Sequence, residues 1–240
     1  PPFLRLQQAL PAERWSPFLR NHDQPRTRTE LGGDMRKARL ASGLLLTMPG
    51  MPFVYYGEEI GMTGTKPDER IRTPMHWTPG DHAGFTTGTP WQPLAADSQQ
   101  VTVDAQATDP RSILALHREL IHLRAANPAL GGGTFVPLSA SSENIAAYAR
   151  RDGDRALVVV ANLGARPARG VAITADAGAL PAGTWTARPL MGHAAAAPIV
   201  VATDGRVARW APMRTLAPLE LYLFELVPTT TGRAGEREGT

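Results

Sequence analysis

The side chains that could do chemistry gather at three places along the chain. Asn21-His22-Asp23-Gln24 sets an amide, an imidazole and a carboxylate side by side, just after the apolar run Pro17-Phe18-Leu19. Glu58-Glu59 follows a second apolar run, Met51-Pro52-Phe53-Val54-Tyr55-Tyr56, across a single glycine. Arg72 stands in a stretch rich in Gly, Pro and Thr. A polar cluster at the end of a short apolar run suits a buried strand that opens into a loop. The same residues also suit a solvated turn in which Asn21 and Asp23 cap the backbone. An arginine offers fixed, directional donors; Arg72 suits a functional grip on hydroxyls or a surface pair with Asp68 or Glu69. His22 alone does not argue for a metal. Asp81, His82 and His76 follow no recognised ligand spacing, so no metal or cofactor is expected.

These groups need elements to hold them. The apolar runs at 17–19 and 51–56 read as strands, and between them Asp34 caps a helix reaching about Thr47. Met35, Ala38, Ala41, Leu45 and Met48 share its apolar face. Strand, helix, strand, with polar residues after each strand, is the grammar of a parallel α/β unit. Residues 60–110 read as one long, ordered loop, with Trp77, Phe85 and Trp91 packing it down. A second helix is expected over 111–126, with Asp109 as its cap, Pro110 at its first position and Asn127-Pro128 as its end. Its stripe is Ile113, Leu116, Leu120 and Leu123. Short apolar segments then recur between turns, at 146–149, 156–161, 171–174, 184–190, 199–202, 207–210 and 220–226. That rhythm indicates an all-β sandwich. The expected fold class is therefore α/β followed by a small all-β sandwich. Residues 1–130 form the first domain, 131–227 the second and 228–240 a disordered tail.

Composition narrows the function classes. The chain has 240 residues, 42% hydrophobic and 20% charged, with a formal net charge of +3. Its basic residues are dispersed, so it lacks the basic stripe of a nucleic-acid binder. With no cysteine, it has no disulfide, no thiolate nucleophile and no Cys-bound zinc. No apolar run is long enough for a membrane-spanning helix, so no membrane partner is expected. The opening Pro1-Pro2-Phe3 suggests a sequence that starts within a longer protein, and localisation stays open.

One segment is more specific than composition. Phe18-Leu19-Arg20-Asn21-His22-Asp23-Gln24-Pro25-Arg26 resembles the motif closing the seventh strand of the catalytic (β/α)8 barrel in the α-amylase family of glycoside hydrolases. Met51-Pro52 through Gly57-Glu58-Glu59-Ile60-Gly61-Met62 is similar to that family's eighth strand and loop. Arg72-Thr73-Pro74-Met75-His76-Trp77, with Ala83-Gly84-Phe85-Thr86, resembles the branch holding oligo-1,6-glucosidases, α-glucosidases and trehalose synthases, where Gln is usual at the position of His76. The resemblance implies the C-terminal part of a (β/α)8 TIM barrel and then a C-terminal β domain.

It also implies roles. Asp23 matches the third catalytic carboxylate, which binds sugar hydroxyls and stabilises an oxocarbenium-like transition state. His22, Asn21 and Arg72 match substrate-binding positions around one glucose ring, and Glu59 is assigned to the leaving-group side. If strand geometry continues, Glu58 points the opposite way. The family's nucleophile and general acid lie on earlier strands. Upstream of Asp23 the only carboxylate is Glu13, so the missing N-terminal barrel portion is a required partner and the chain alone is expected to be inactive. The implied substrate is an α-glucan or a malto- or isomalto-oligosaccharide. A transglycosylase or isomerase such as trehalose synthase, and a non-catalytic amylase-like binding protein, are the alternatives.

Overall fold

The computed structural model describes residues 14–191 and 195–229. The expected connector at 1–16 and the tail thus fall mostly outside the described residues. Helix α1 is Thr27–Glu30 and α2 is Met35–Thr47. Asp34 caps α2 as expected, its carboxylate accepting from the backbone N–H of Arg36 and Lys37. Short turns of helix follow at Glu58–Ile60, Asp68–Ile71 (α3) and Asp81–Gly84, then α4 at Val103–Ala107 and α5 at Ile113–Ala126. Ser112, not Asp109, caps α5, accepting from Ala115 N–H. Asp109 instead accepts from Arg111 N–H one turn earlier. A short helix, α6, covers Pro128–Gly131.

The runs at 17–19 and 51–56 lie alongside each other without becoming regular strands. Met51 N–H donates to the Trp15 carbonyl at 3.0 Å and Phe53 N–H to the Pro17 carbonyl at 2.8 Å. A parallel ladder needs a return bond from residue 17 between these two. Residue 17 is a proline and has no N–H to give. Phe18, Met51 and Phe53 are each about half exposed along this pair.

Among the described residues ten strands follow, all paired antiparallel. The main sheet has the order β7-β6-β10-β3-β2-β1-β5-β8, with β4 and β9 forming a separate pair. Its strands are β1 (Thr134–Ala140), β2 (Ile145–Asp152), β3 (Arg155–Asn162), β5 (Ile173–Ala175), β6 (Gly183–Met191), β7 (Ile199–Val201), β8 (Val207–Trp210) and β10 (Glu220–Pro228). The short pair is β4 (Ala168–Arg169) and β9 (Thr215–Leu216). Backbone bonds Ala197 to Pro212 and Ala202 to Arg206 join the segments around β7 and β8, so the sheet doubles back and its halves face each other. Each expected strand segment lies on one of these strands. β1 was not expected, because Pro137 breaks its pattern; it stands where only β2 pairs with it.

Alternation on the central strands serves two cores. Val158, Val160, Tyr222 and Phe224 point into the space enclosed by the sheet. Leu157, Val159, Leu221 and Leu223 point out, against Leu40 and Leu46 of α2 and Leu116 and Leu120 of α5. Gly43 lets α2 approach: a Cβ there would lie 3.3 Å from Leu221 Cδ1. The C-terminal carbonyls of α2 are gathered by two arginines. Arg124 donates to Leu46 and Met48, and Arg150 to Thr47 at 2.9 Å and Gly133 at 2.8 Å. Tyr148 and Thr47 meet at 2.5 Å between their hydroxyls. The helices and the sheet are therefore locked together, which gives the loops above them a fixed base.

Candidate functional site

The Asn21–Gln24 segment is a tight turn. The Asn21 side-chain oxygen accepts from Asp23 N–H at 2.9 Å, and its carbonyl accepts from Gln24 N–H at 3.2 Å. The turn presents rather than hides its side chains: those of His22 and Asp23 are 60% and 59% exposed. His22 Nε2 lies 3.4 Å from one Asp23 oxygen. Arg72, forty-nine residues away, reaches the same turn. Its Nε donates to the His22 carbonyl at 3.0 Å, and its Nη2 to Asp23 Oδ1 at 3.0 Å. Nη2 also donates to Asp68 Oδ2 at 3.0 Å. The turn is thus capped by Asn21, and Arg72 pairs with Asp68 as well as with Asp23. Asp68 is held below the ordinary carboxylate range, first by its hydrogen bond from Lys66 and then by the charges of Lys66, Arg72 and His22.

Two residues at the base of the site were not singled out from sequence. Arg26 is fully buried. Its guanidinium lies against the rings of Tyr55 and Tyr56, 4.7 and 4.9 Å from their centroids. Tyr55 faces His22, the ring centroids being 6.5 Å apart. Burial pushes the Tyr55 hydroxyl well up, so it stays protonated. Arg26 lies within the motif that marked Asp23, and Tyr55 lies in the second apolar run; aromatic burial beside a charged motif was the available signal.

Glu58 and Glu59 do not continue a strand. They occupy the short helical turn Glu58–Ile60, so the strand alternation that pointed them to opposite sides does not apply. The chain reaches that turn through Gly57 at φ 82, where a Cβ would lie 2.4 Å from Met62 Sδ and 3.1 Å from Arg26 Nη1. Glu58 is buried 3.6 Å from Arg26 Nη1, and burial pushes its carboxyl up. Glu59 is also pushed up by burial. It lines a cleft of about 330 Å³ with Val54, Tyr56, Leu114, His117 and Ile121. His76 is buried with Nδ1 3.0 Å from the Val101 carbonyl. Trp77, Phe85 and Trp91 are 49%, 44% and 60% exposed, and so do not pack the loop down as expected. Among the described residues no group of three or more His, Asp or Glu is arranged to hold a metal.

The cluster of Asp23, His22 and Arg72 brings a carboxylate, an imidazole and a guanidinium together. It forms an open surface. A cavity of about 530 Å³ is lined by Thr29, Thr63, Thr73, Arg70 and Gln92 and includes none of the three.

Comparison with known proteins gives the family. The chain matches the family described as alpha amylase, catalytic domain, over residues 3–133, and it belongs to that family. It is 40% identical over 146 residues to "Alpha-amylase 3" of Dictyoglomus thermophilum, covering 61% of this chain and 29% of that protein. It is 31% identical over 198 residues to an oligo-1,6-glucosidase of Parageobacillus thermoglucosidasius, covering 65% and 35%. The crystal structure of an alpha-amylase from H. orenii superposes with a TM-score of 0.69 at 33% identity, covering 88% of this chain and 40% of that one. The chain thus spans about a third of the length of the curated relatives it matches. The fold is the C-terminal part of a (β/α)8 barrel followed by a small all-β domain.

Proposed function

We propose that this chain is part of a retaining glycoside hydrolase acting on α-glucans or malto- and isomalto-oligosaccharides. Residues 1–130 are the end of its catalytic barrel and 131–227 its C-terminal β domain. The observation that carries the reading is the convergence of His22, Asp23 and Arg72 by 3.0 Å contacts at the head of the paired segments. Barrel enzymes keep their chemistry at that end of their strands.

Asp23 is the third carboxylate. It accepts hydrogen bonds from sugar hydroxyls and opposes the positive charge that grows on the ring. Arg72 holds it in place, and His22 donates to a hydroxyl of the same ring. Asn21 shapes the turn through its bond to Asp23 N–H. Glu59 is assigned to the leaving-group side from the family resemblance alone, since the cleft it lines includes none of Asp23, His22 and Arg72. The nucleophile and general acid belong to barrel strands preceding this chain. Two features support that requirement: Asp23 and His22 stand on an open surface, and Phe18, Met51 and Phe53 are half exposed.

The test is Asp23→Asn in the protein that joins this chain to the rest of its barrel. Turnover of maltose, isomaltose or soluble starch is expected to fall by orders of magnitude while the fold is retained; near-normal turnover would sink the role. Product analysis of the wild type should show free glucose or shorter glucans. Isomerised disaccharide in their place would move the reading to a transglycosylase. The chain alone should not cleave a nitrophenyl glucoside.

A further inference from the structure

The site residues sit on three separate segments, and one buried side chain touches all three. Arg26 follows Asp23 by three residues, and its backbone N–H donates to the Gly64 carbonyl at 2.9 Å. Its Nε donates to the carbonyl of Ile71, the residue before Arg72, at 3.1 Å. Its Nη1 donates to the carbonyl of Tyr56 at 2.6 Å. Tyr55 and Tyr56 both lie against its guanidinium, their ring centroids 4.7 Å apart, and Tyr55 is the ring that faces His22. Arg26 therefore ties the segment carrying Arg72 and the segment carrying Tyr55 to the turn carrying Asp23.

Stability alone is a poor account of this residue. A buried cation is costly unless well paired. Here its ion pair with Glu58 is 3.6 Å long, and Arg26 Nη2 is buried without a hydrogen-bond partner. An apolar side chain would fill such a space without an orphan donor. What it would lack is a rigid planar fork that fixes two carbonyls at once and lies against two aromatic rings.

We infer that Arg26 is a positioning residue: it sets the separation of Asp23 from Arg72 and the pose of His22 through Tyr55. This rests on the reading of Asp23 and Arg72 given above. The test uses the complete barrel protein and a double-mutant cycle on kcat/KM between Arg26→Lys and Arg72→Met. Lysine keeps the charge and loses the fork. Displacing a catalytic group by about 1 Å costs on the order of 100-fold, so Arg26→Lys should lose about that much. The double variant should then lose little more than the larger of the two single losses, because the two changes damage one arrangement. A merely structural arginine would lower the melting temperature and give losses that multiply. Independent, multiplying losses, or kcat/KM within twofold of wild type, would overturn the inference. Should Arg26→Lys not fold, Tyr55→Leu takes its place in the cycle. It leaves both Arg26 hydrogen bonds and removes one of the two rings, and coupling or multiplication is read in the same way. Asp23→Asn is the control. If it keeps turnover, the site reading fails and this inference with it; if it is inactive while Arg26→Lys is normal, only the inference fails.

Discussion

Replacing Arg72 with methionine should separate activity from stability. The side chain makes three polar contacts at 3.0 Å, to the His22 carbonyl, Asp23 and Asp68. It is itself 39% exposed, and Asp23 is 59% exposed. For folding, an ion pair this open is screened by water and contributes no more than about 1 kcal/mol. The melting temperature should therefore fall by only about 2–4 °C. For catalysis the situation differs, because a bound sugar removes that water. A hydrogen bond to a charged group is then worth about 1.5–3 kcal/mol. At about 1.4 kcal/mol per tenfold, kcat/KM should drop roughly 10- to 150-fold. The assay is steady-state hydrolysis of maltose or isomaltose by the complete barrel protein, beside a thermal melt. Activity within twofold of wild type would refute the reasoning and leave Arg72 as a surface partner of Asp68. A large fall in melting temperature would refute it as well, since loss of fold would then explain loss of rate.

Two further outcomes follow from buried groups. His76 is held below its ordinary value of 6.5, chiefly by burial, with the Val101 carbonyl and Asp97 opposing and Arg26 assisting. The unfolded chain takes up the proton first, so the stability is present above about pH 6.5 and is lost as pH falls toward the folded value. The loss is at most about 1.4 kcal/mol per pH unit. Denaturant titrations from pH 7.5 to 5 should show that slope and its reduction in His76→Gln, the remainder coming from His117, which burial also holds low; equal slopes would contradict it. At the junction of helix and sheet, Tyr148→Phe removes the 2.5 Å contact to Thr47, whose hydroxyl also lies 2.7 Å from the Gly43 carbonyl. Because Thr47 keeps an acceptor, the cost should be about 1 kcal/mol. A loss beyond about 3 kcal/mol in urea unfolding would mean the hydroxyl pair does more than close one hydrogen bond.

Local rules made much of this fold readable. Asp34 as a cap and Asn127-Pro128 as a stop need only the backbone's own donors and acceptors, and both stand. The strands of the β domain were legible as short apolar runs between turns, because β3 and β10 each feed two cores and are apolar on both faces. Where the reading failed, a neighbour decided the matter. Ser112 displaced Asp109 because helix α5 begins two residues later than expected, at Ile113. The apolar runs at 17–19 and 51–56 stay irregular because Pro17 cannot return the ladder bond that Met51 and Phe53 begin. Glu58 and Glu59 left the strand pattern because Gly57 turns the chain into a helical turn.

The site divides in the same way. Asp23, His22 and Arg72 were visible because their motifs are contiguous in sequence, although their meeting across forty-nine residues was not. Arg26 and Tyr55 stayed hidden because what they do is spatial. A buried arginine has no local signature beyond its charge, and its partners are carbonyls, which no sequence displays. The two arginines of the site thus differ in kind. Arg72 is exposed and meets the carboxylate directly, so its loss should be felt in rate. Arg26 is enclosed and meets backbone, so its effect on rate can pass only through the distances it fixes. That difference makes coupling between the two, rather than the size of either loss, the decisive measurement.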